Sequence, residues 1–251
     1  MTIAKWKRAI VVGASSGIGE AIARKLAASG ISVALVARRE SDLTALAQKL
    51  NDDAGELRAR AYAHDVTNID EAPGLFAKIT SDLGGLDLIV YAAGVMPAVG
   101  VDEYNIHKDA LIFDVNVKGA MSWLNLAAER FRQQKSGTLV GISSVAGDRG
   151  RRGQPAYCAS KAALDTYLES LRNRLARFGV AVVTIKPGPV RTPMTAGLGK
   201  LPLMIDAELA ADQILSAAGD GAVVAYVPSK WRPIMRVIRN IPSQIFRYLS
   251  I

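Results

Sequence analysis

Seven short apolar runs alternate with longer stretches of helical periodicity along the first 227 residues of the chain. The runs at 9–12 and 87–90 show no polar–apolar alternation, which is typical of strands buried on both faces. The candidate strands are residues 8–13, 31–37, 57–64, 86–92, 138–143, 180–186 and 222–227. The candidate helices are residues 17–29, 40–52, 68–83, 103–134, 155–178 and 206–218. Strand–helix–strand repetition indicates parallel strands joined by right-handed crossovers, and therefore an α/β fold.

Length and composition narrow this prediction. The 251 residues suit one domain, and no linker or repeat divides them. We therefore expect a single doubly wound Rossmann-type domain over residues 1–229, with about seven parallel strands and helices on both faces, followed by a basic amphipathic tail, 230–251. One cysteine, Cys158, and two histidines argue against a disulfide and against a metal site.

The net charge of +8 is concentrated in the tail, which supplies +5 of it and contains no acidic residue. The rest of the chain is nearly neutral, so we expect no nucleic-acid-binding face. No apolar run reaches the roughly 18 residues of a spanning helix, and the run at 9–12 is too short for a signal peptide. The sequence thus predicts a cytoplasmic protein.

A glycine-rich turn, Gly-Ala-Ser-Ser-Gly-Ile-Gly, follows the first predicted strand and precedes the first predicted helix. Glycines let a pyrophosphate approach the backbone, and the helix N-terminus offers amide donors to it. The predicted cofactor contacts here are Gly13, Ser15, Ser16, Gly17, Ile18 and Gly19. A turn without a ligand is the alternative interpretation.

The end of the second predicted strand bears on the choice of cofactor. Ala37 stands where an acidic residue would accept hydrogen bonds from the adenosine ribose of NAD, and Arg38 and Arg39 follow it. A guanidinium group pairs well with a 2′-phosphate, so NADP is favoured over NAD. The alternative is a solvated arginine pair.

The predicted catalytic group begins with Tyr157 and Lys161, which lie four residues apart and so share one helix face. A neighbouring ammonium is expected to lower the pKa of the phenol toward the working range. Ser144 closes the preceding strand, and Asn116 lies further upstream. Cys158 points away from Tyr157 along the helix and is interpreted as a packing residue.

From residue 8 to about residue 227 the chain resembles the short-chain dehydrogenase/reductase family. The glycine turn, Asn116, Ser144, Tyr157 and Lys161 match motifs of that family, and further matches are Asp65-Val66, Ala92-Ala93-Gly94 and the segment containing Pro187, Gly188, Val190 and Thr192. Tyr91 departs from the pattern, because an asparagine that steadies the sheet beside the cofactor is usual there. The larger phenol must therefore be accommodated in another way.

The resemblance implies a hydride transfer between a nicotinamide cofactor and a carbonyl compound or secondary alcohol. Tyr157 would move the proton, and Ser144 would position the substrate oxygen. Lys161 would lower the Tyr157 pKa and hold the nicotinamide ribose, and Asn116 would hold a water that links Lys161 to solvent. Asp65 and Val66 would contact adenine, and the 187–192 segment would lie beside the nicotinamide. A homodimer or homotetramer, formed through two long central helices, is also implied.

Two segments point to the substrate. Residues 147–153 carry three arginines and could hold an anionic group, or could be a solvated loop. Residues 194–204 are rich in methionine and leucine and predict an apolar lid, or an ordinary surface loop. The C-terminal third is similar to a branch of the family that contains decaprenylphosphoryl-2-keto-ribose reductases, which suggests a lipid-linked or otherwise amphiphilic keto substrate.

The tail combines an isoleucine-rich stripe with five cations. It could pack across a subunit interface, which we favour slightly, or meet an anionic bilayer as a peripheral membrane contact. A catalytically silent nucleotide-binding regulator or scaffold on the same fold is the competing function. It is disfavoured because Tyr157 and Lys161 are both present.

Overall fold

The computed structural model describes residues 5–199 and 201–249. In this part of the chain the strands are β1 (Arg8–Val12), β2 (Ser32–Ala37), β3 (Ala59–Ala63), β4 (Leu88–Tyr91), β5 (Thr138–Ile142), β6 (Ala181–Pro187), β7 (Val190–Arg191), β8 (Ile205–Asp206) and β9 (Val224–Val227). Seven of them form one parallel sheet in the order β3-β2-β1-β4-β5-β6-β9, and β7 pairs separately with β8. The predicted doubly wound α/β fold is confirmed.

The α-helices of the described residues are α1 (Gly17–Ala28), α2 (Glu40–Ala54), α3 (Ala72–Asp82), α4 (Ile106–Phe113), α5 (Ala120–Gln134), α6 (Pro155–Leu175), α7 (Ala207–Gly219), α8 (Trp231–Asn240) and α9 (Ser243–Phe246). One predicted helix differs from the structure. The segment 103–134 is divided into α4, a π-helical turn at Asp114–Gly119 and α5.

The two faces of the sheet are covered by separate sets of helices. In β1, Val11 packs with residues of α1, α2 and α7, whereas Ile10 packs with residues of α3, α5 and α6. Both side chains are fully buried. Two apolar layers therefore explain why the strand sequence lacks polar alternation.

The strand order reverses at β1, which has β2 on one side and β4 on the other. In open α/β sheets a crevice forms at such a point, outside the carboxyl ends of the strands. The glycine turn follows β1 and Ser144 follows β5, so the fold brings both to this edge.

The predicted tail folds back onto the domain as α8 and α9, with Pro242 between them. Trp231 and Met235 are buried against Val145, and Ile238 packs at the edge of this cluster. Ile234 and Val237 of the predicted stripe region are instead exposed. Three tail arginines line a charged groove on another side of α8: Arg232, Arg236 and Arg239.

No helix of the described residues is long and apolar enough to cross a membrane. Within residues 5–199 and 201–249 there is likewise no group of three histidine, cysteine or acidic side chains placed to hold a metal ion.

Candidate active site

A cleft of about 300 Å³ lies at the carboxyl edge of the sheet, where the fold brings most of the predicted site residues together. The predicted residues that line it are Gly13, Ser15, Ser16, Gly17, Ile18, Gly19, Arg38, Arg39, Val66, Ala92, Ala93, Gly94, Ser144, Tyr157, Lys161, Pro187, Gly188, Val190 and Thr192. Asp65 and Asn116 do not line it and contact residues that do. Nine further lining residues were not among the predicted site residues: Ala37, His64, Val95, Val115, Ile142, Ser143, Pro193, Met194 and Thr195.

The glycine turn is shaped by close backbone packing. Gly13 has a φ of +90°, and a Cβ there would lie 2.7 Å from the Ala92 carbonyl carbon. Ser16 is the N-cap of α1, but its side chain makes no capping hydrogen bond. The first amides of α1 therefore lack a side-chain cap and are free to donate hydrogen bonds to an anionic ligand. The turn fits a pyrophosphate.

Two guanidinium groups stand on the rim of the cleft where β2 ends. Arg39 donates to Ser15 Oγ at 2.9 Å and pairs with Asp42 at 3.0 Å. Arg38 is more than half exposed, and its Nη1 lies 3.8 Å from Asp65 Oδ2. The rim at this position therefore carries positive charge that is only partly neutralised.

Asp65 is held at this rim by its own loop. Thr67 donates to its carboxylate through the backbone N–H at 3.0 Å and the hydroxyl at 2.9 Å. Burial by itself would raise the pKa of Asp65, but these bonds and the nearby Arg38 bring it below its usual value. Asp65 is thus an anionic group that orients Arg38.

Tyr157 and Lys161 occupy the first turns of α6, and both face the cleft with Ser144. The Lys161 ammonium donates to the Ile142 carbonyl at 2.9 Å and lies 5.6 Å from the Tyr157 ring centroid. Ser144 begins a 3₁₀ turn, Val145–Asp148, and its Oγ accepts the Ala146 N–H at 3.1 Å. A hydroxyl, a phenol and an ammonium therefore meet beside the cofactor turn.

The protonation behaviour differs from the sequence prediction. Burial raises the pKa of Tyr157 to about 12, although Ser144 and, more weakly, Arg151 oppose the shift. Burial also lowers the pKa of Lys161 to about 8, against the charge of Asp165. The predicted lowering of the Tyr157 pKa by Lys161 is not seen in the protein by itself: burial raises the pKa, and the ammonium, 5.6 Å from the ring centroid, donates to the Ile142 carbonyl.

Asn116 is fully buried in the π-helical turn. Its Oδ1 accepts the Val95 N–H at 2.8 Å, and its Nδ2 donates to the Val95 carbonyl and to Ser160 Oγ, each at 3.1 Å. A Cβ on Gly94 would lie 3.4 Å from Asn116 Oδ1 and 3.6 Å from Lys161 Nζ. Asn116 therefore approaches Lys161 across Gly94, and π-helical turns of this kind are frequent at functional sites.

Tyr91 is accommodated by this same turn. The phenol is fully buried and donates to the Val115 carbonyl at 2.6 Å. A Cβ on Gly119 would come within 2.7 Å of the Tyr91 hydroxyl, so glycine leaves the necessary space. The hydroxyl thus ties β4 to the segment that carries Asn116, and burial keeps the Tyr91 pKa far above its usual value.

The arginine-rich segment 147–153 does not act as a unit. Arg149 donates to the carbonyls of Arg239 and Ile241 at 2.8 and 2.7 Å, and its guanidinium lies 4.1 Å from the Phe246 ring centroid. Arg149 therefore caps the end of α8, and the interpretation of this residue as a substrate-anion ligand is wrong. Arg151 is half-buried and lies close enough to Tyr157 to influence its pKa.

The segment 194–204 borders the cleft on its other side. Met194 lines the cleft and is 40% exposed, and Leu198 and Leu203 are also exposed. Residue 200 lies outside the described residues. An apolar residue, Met194, therefore borders the cleft at the place where a lid was predicted.

Cys158, next to Tyr157, is buried, and burial raises the pKa of its thiol. Both observations agree with its interpretation as a packing residue.

A family model described as short chain dehydrogenase matches residues 7–201. The chain belongs to the short-chain dehydrogenase family. This short-chain dehydrogenase is 38% identical over 197 residues to an uncharacterized oxidoreductase of Staphylococcus epidermidis, covering 78% of this chain and 84% of the relative. It is 31% identical over 243 residues to an uncharacterized oxidoreductase of Mycobacterium tuberculosis, covering 96% of each.

Among solved structures, a short-chain type dehydrogenase/reductase from Mycobacterium marinum superimposes with a TM-score of 0.80 at 28% identity, covering 89% of this chain and 95% of that one. The resemblance inferred from the motifs is thereby confirmed. The short-chain dehydrogenase described here is an NAD(P)-dependent oxidoreductase.

Proposed function

We propose that this short-chain dehydrogenase is an NADP(H)-dependent carbonyl reductase or alcohol dehydrogenase whose catalytic residues are Asn116, Ser144, Tyr157 and Lys161. The observation that carries the proposal is the meeting of Ser144, Tyr157 and Lys161 in one cleft that also contains the glycine turn. A catalytically silent nucleotide-binding protein would have no need of a buried ammonium beside a half-buried phenol, because a buried charge is costly to desolvate.

The cleft suits a dinucleotide. The amides of α1 that lack a side-chain cap would hold the pyrophosphate, and Val66 and Ala92–Gly94 border the space for adenosine and ribose. Arg38 and Arg39 would hold a 2′-phosphate, because both guanidinium groups stand on the rim of the cleft. The residue before them is Ala37, which carries no carboxylate to repel the phosphate. These features favour NADP over NAD.

The chain's own groups supply the proton chemistry. The bound nicotinamide supplies or accepts the hydride. Tyr157 donates its phenolic proton to the substrate oxygen in reduction and accepts it in oxidation. Ser144 donates a hydrogen bond to that oxygen and orients it. Lys161 places a positive charge beside the phenol, which stabilises the phenolate left after proton transfer.

The rim of the cleft favours an amphiphilic substrate. Met194 lines the cleft, the exposed Leu198 and Leu203 follow it in the same segment, and Arg151 lies near Tyr157. A carbonyl compound with an apolar portion and an anionic group, such as a lipid-linked keto-sugar phosphate, would use both. The substrate is to be identified by a screen of carbonyl compounds that carry both an apolar portion and an anionic group.

We further propose that the protein works as a homodimer or homotetramer and that the tail lies at an interface. On α8 the exposed apolar residues, Ile234 and Val237, point away from the side that carries Arg232 and Arg236. A helix lying on an anionic bilayer would need cations flanking its apolar face. The arrangement therefore favours a protein partner over a membrane for this face.

The decisive experiment measures NADPH oxidation with a panel of ketones and keto-sugars, including lipid-phosphate-linked ones, for the wild type and for Tyr157→Phe. The variant should lose at least about 100-fold in kcat, or roughly 2.7 kcal/mol of barrier. Its affinity for NADPH should change little, because the aromatic ring remains and only the hydroxyl is lost. Wild-type turnover in Tyr157→Phe would assign the proton transfer to another group and refute the proposed mechanism.

A further inference from the structure

Three buried charged side chains lie directly behind the proposed catalytic groups. Lys186, near the end of β6, contacts Asp148 Oδ1 at 2.5 Å and Asp165 Oδ2 at 2.9 Å. The side chains of Lys186, Asp148 and Asp165 are only 10%, 1% and 16% exposed. Charges buried to this degree are strongly destabilising unless they are paired, so the ammonium is what keeps two neighbouring carboxylates compatible.

The two carboxylates belong to the two elements that carry the catalytic side chains. Asp148 ends the 3₁₀ turn that Ser144 begins, and the Gly147 N–H donates to the Ser144 carbonyl at 3.1 Å within it. Asp165 lies on α6 one turn beyond Lys161. Lys186 therefore links the turn of Ser144 to the helix of Tyr157 and Lys161.

The turn and the helix are also in direct contact. A Cβ on Gly147 would lie 2.7 Å from Asp165 Oδ2 and 2.9 Å from the Lys161 carbonyl carbon. Separation of Asp148 from Asp165 is therefore transmitted readily to the backbone between Ser144 and Gly147. Neither oxygen of Asp165 accepts a hydrogen bond of good geometry, so it is the charge of Lys186 that holds this carboxylate.

We propose that Lys186 is a positioning residue that sets the distance between Ser144 and the Tyr157–Lys161 pair by bridging Asp148 and Asp165. This role deepens the proposed function and depends on it. Lys186 does not line the active-site cleft and acts only through the two elements that it joins. It lies directly before Pro187 and Gly188, so the same strand end also reaches the cofactor side of the cleft.

Removal of the ammonium has a consequence that depends on pH. Without Lys186, Asp148 and Asp165 lose the cation between them, and burial already raises the pKa of Asp165. Their repulsion as two anions, which separates the turn from the helix, therefore develops as the pH rises and the pair loses its shared proton. Tyr226 donates to Asp148 at 2.8 Å from β9, and the Arg239 guanidinium of α8 is 4.0 Å away. The other charged side chains around the two carboxylates are Lys161, Glu169 and Arg172 of α6 and Arg232 and Arg236 of α8.

These groups soften the repulsion between the two carboxylates but do not bridge them. Acidification lets the pair share one proton, which ends the repulsion. The activity lost on removal of Lys186 should therefore return in part as the pH falls.

The test compares Lys186→Met with the matched control Lys25→Met. Lys25 also bridges two carboxylates, Asp212 at 2.8 Å and Glu208 at 3.4 Å, but at a site remote from the cleft. At neutral pH, Lys186→Met should lower kcat by about 10-fold to 100-fold, the range for catalytic groups displaced by up to about 1 Å. The Kd for NADPH should change by less than about threefold, and the deficit relative to wild type should shrink on acidification.

A second readout does not depend on turnover. Hydrogen exchange of peptides covering residues 144–149 should be faster in Lys186→Met than in Lys25→Met or the wild type, because the turn loses its tether. If Lys186→Met does not fold, Asp148→Asn replaces it. This variant keeps the Lys186–Asp165 pair but weakens the tether of the turn, so it should show a smaller loss of kcat and a smaller rise in exchange, without recovery on acidification, because only one carboxylate remains.

The outcomes are distinct. Wild-type kcat and wild-type exchange in a folded Lys186→Met or Asp148→Asn variant would overturn the positioning role and leave the proposed function intact. A wild-type enzyme without any hydride transfer would refute the proposed function instead, and the exchange measurement would still decide whether Lys186 tethers the turn. In Lys186→Met, a kcat deficit that is the same at every pH would also overturn the proposal, since the two opposed carboxylates of that variant must respond to acid.

Discussion

Cofactor selection at Arg38 is the most direct quantitative test of the site. Replacement of Arg38 by alanine removes a guanidinium that stands on the rim of the cleft beside Arg39. Only NADPH carries the 2′-phosphate that this group would bind. Arg39 cannot replace it completely, because its own guanidinium is already engaged by Ser15 and Asp42.

The magnitude follows from the surroundings of Arg38. A hydrogen bond to a charged group contributes about 1.5–3 kcal/mol. The Arg38 side chain is 58% exposed, and Asp65 lies 3.8 Å away and competes for its charge. Exposure and competition by Asp65 both place the loss of NADPH binding free energy near the lower end of this range, at about 1.5 kcal/mol. This corresponds to a Kd for NADPH that is weaker by roughly tenfold.

The assay is a fluorescence titration of NADPH and NADH against the wild type, Arg38→Ala and a control, Arg177→Ala, in which an exposed arginine next to Phe178 is removed. The difference between cofactors should diminish in the Arg38 variant and persist in the control, and added salt should reduce it in the wild type. Equal weakening of NADPH and NADH would refute the reasoning and make Arg38 a structural residue.

Three further predictions concern the surroundings of the site. Arg151→Gln removes a charge that lowers the Tyr157 pKa, so the rise of alcohol oxidation with pH should move to higher pH, with the exposed Arg152→Gln as control; an unchanged profile would remove Arg151 from the site. Arg149→Lys keeps the charge but loses the planar fork that caps α8, and should destabilise the protein by about 1–3 kcal/mol in thermal unfolding; unchanged stability would show that the cap is dispensable. Deletion of residues 230–251 should lower the oligomer mass measured in solution. If the mass is unchanged and the deletion abolishes binding of the protein to anionic liposomes, the tail is a membrane contact and not a subunit interface.

Most of the fold could be predicted because it depends on local pattern. The alternation of short apolar runs with helical segments predicted the seven strands of the main sheet. The runs at 9–12 and 87–90 lack polar alternation, since a strand between two helical layers is apolar on both sides. The helix prediction for 103–134 was wrong in one respect. The π-helical turn at Asp114–Gly119 receives a buried hydrogen bond from Tyr91, which the periodicity of the segment does not reveal.

In the candidate site, too, the features that are local in the chain were predicted and the long-range contacts were not. Its glycine turn and its Tyr157–Lys161 spacing are local in the chain, and so the sequence indicated both and the cleft contains both. The partners of Arg149 are 89 to 94 residues away, in the C-terminal segment. No pattern within 147–153 distinguishes an arginine that caps a distant helix from one that faces a substrate.

By itself, the sequence determined the order of strands and helices, the cofactor turn and the identity of the groups that could move a proton. Those features follow from backbone preferences and side-chain chemistry over a few residues. Only the tertiary structure decided that Lys186 lies between Asp148 and Asp165, that Tyr91 supports the turn of Asn116, and that burial sets the pKa of Tyr157. The reason is physical: charge pairing and desolvation depend on distances between groups that are far apart in the chain, and those distances exist only after the core has packed.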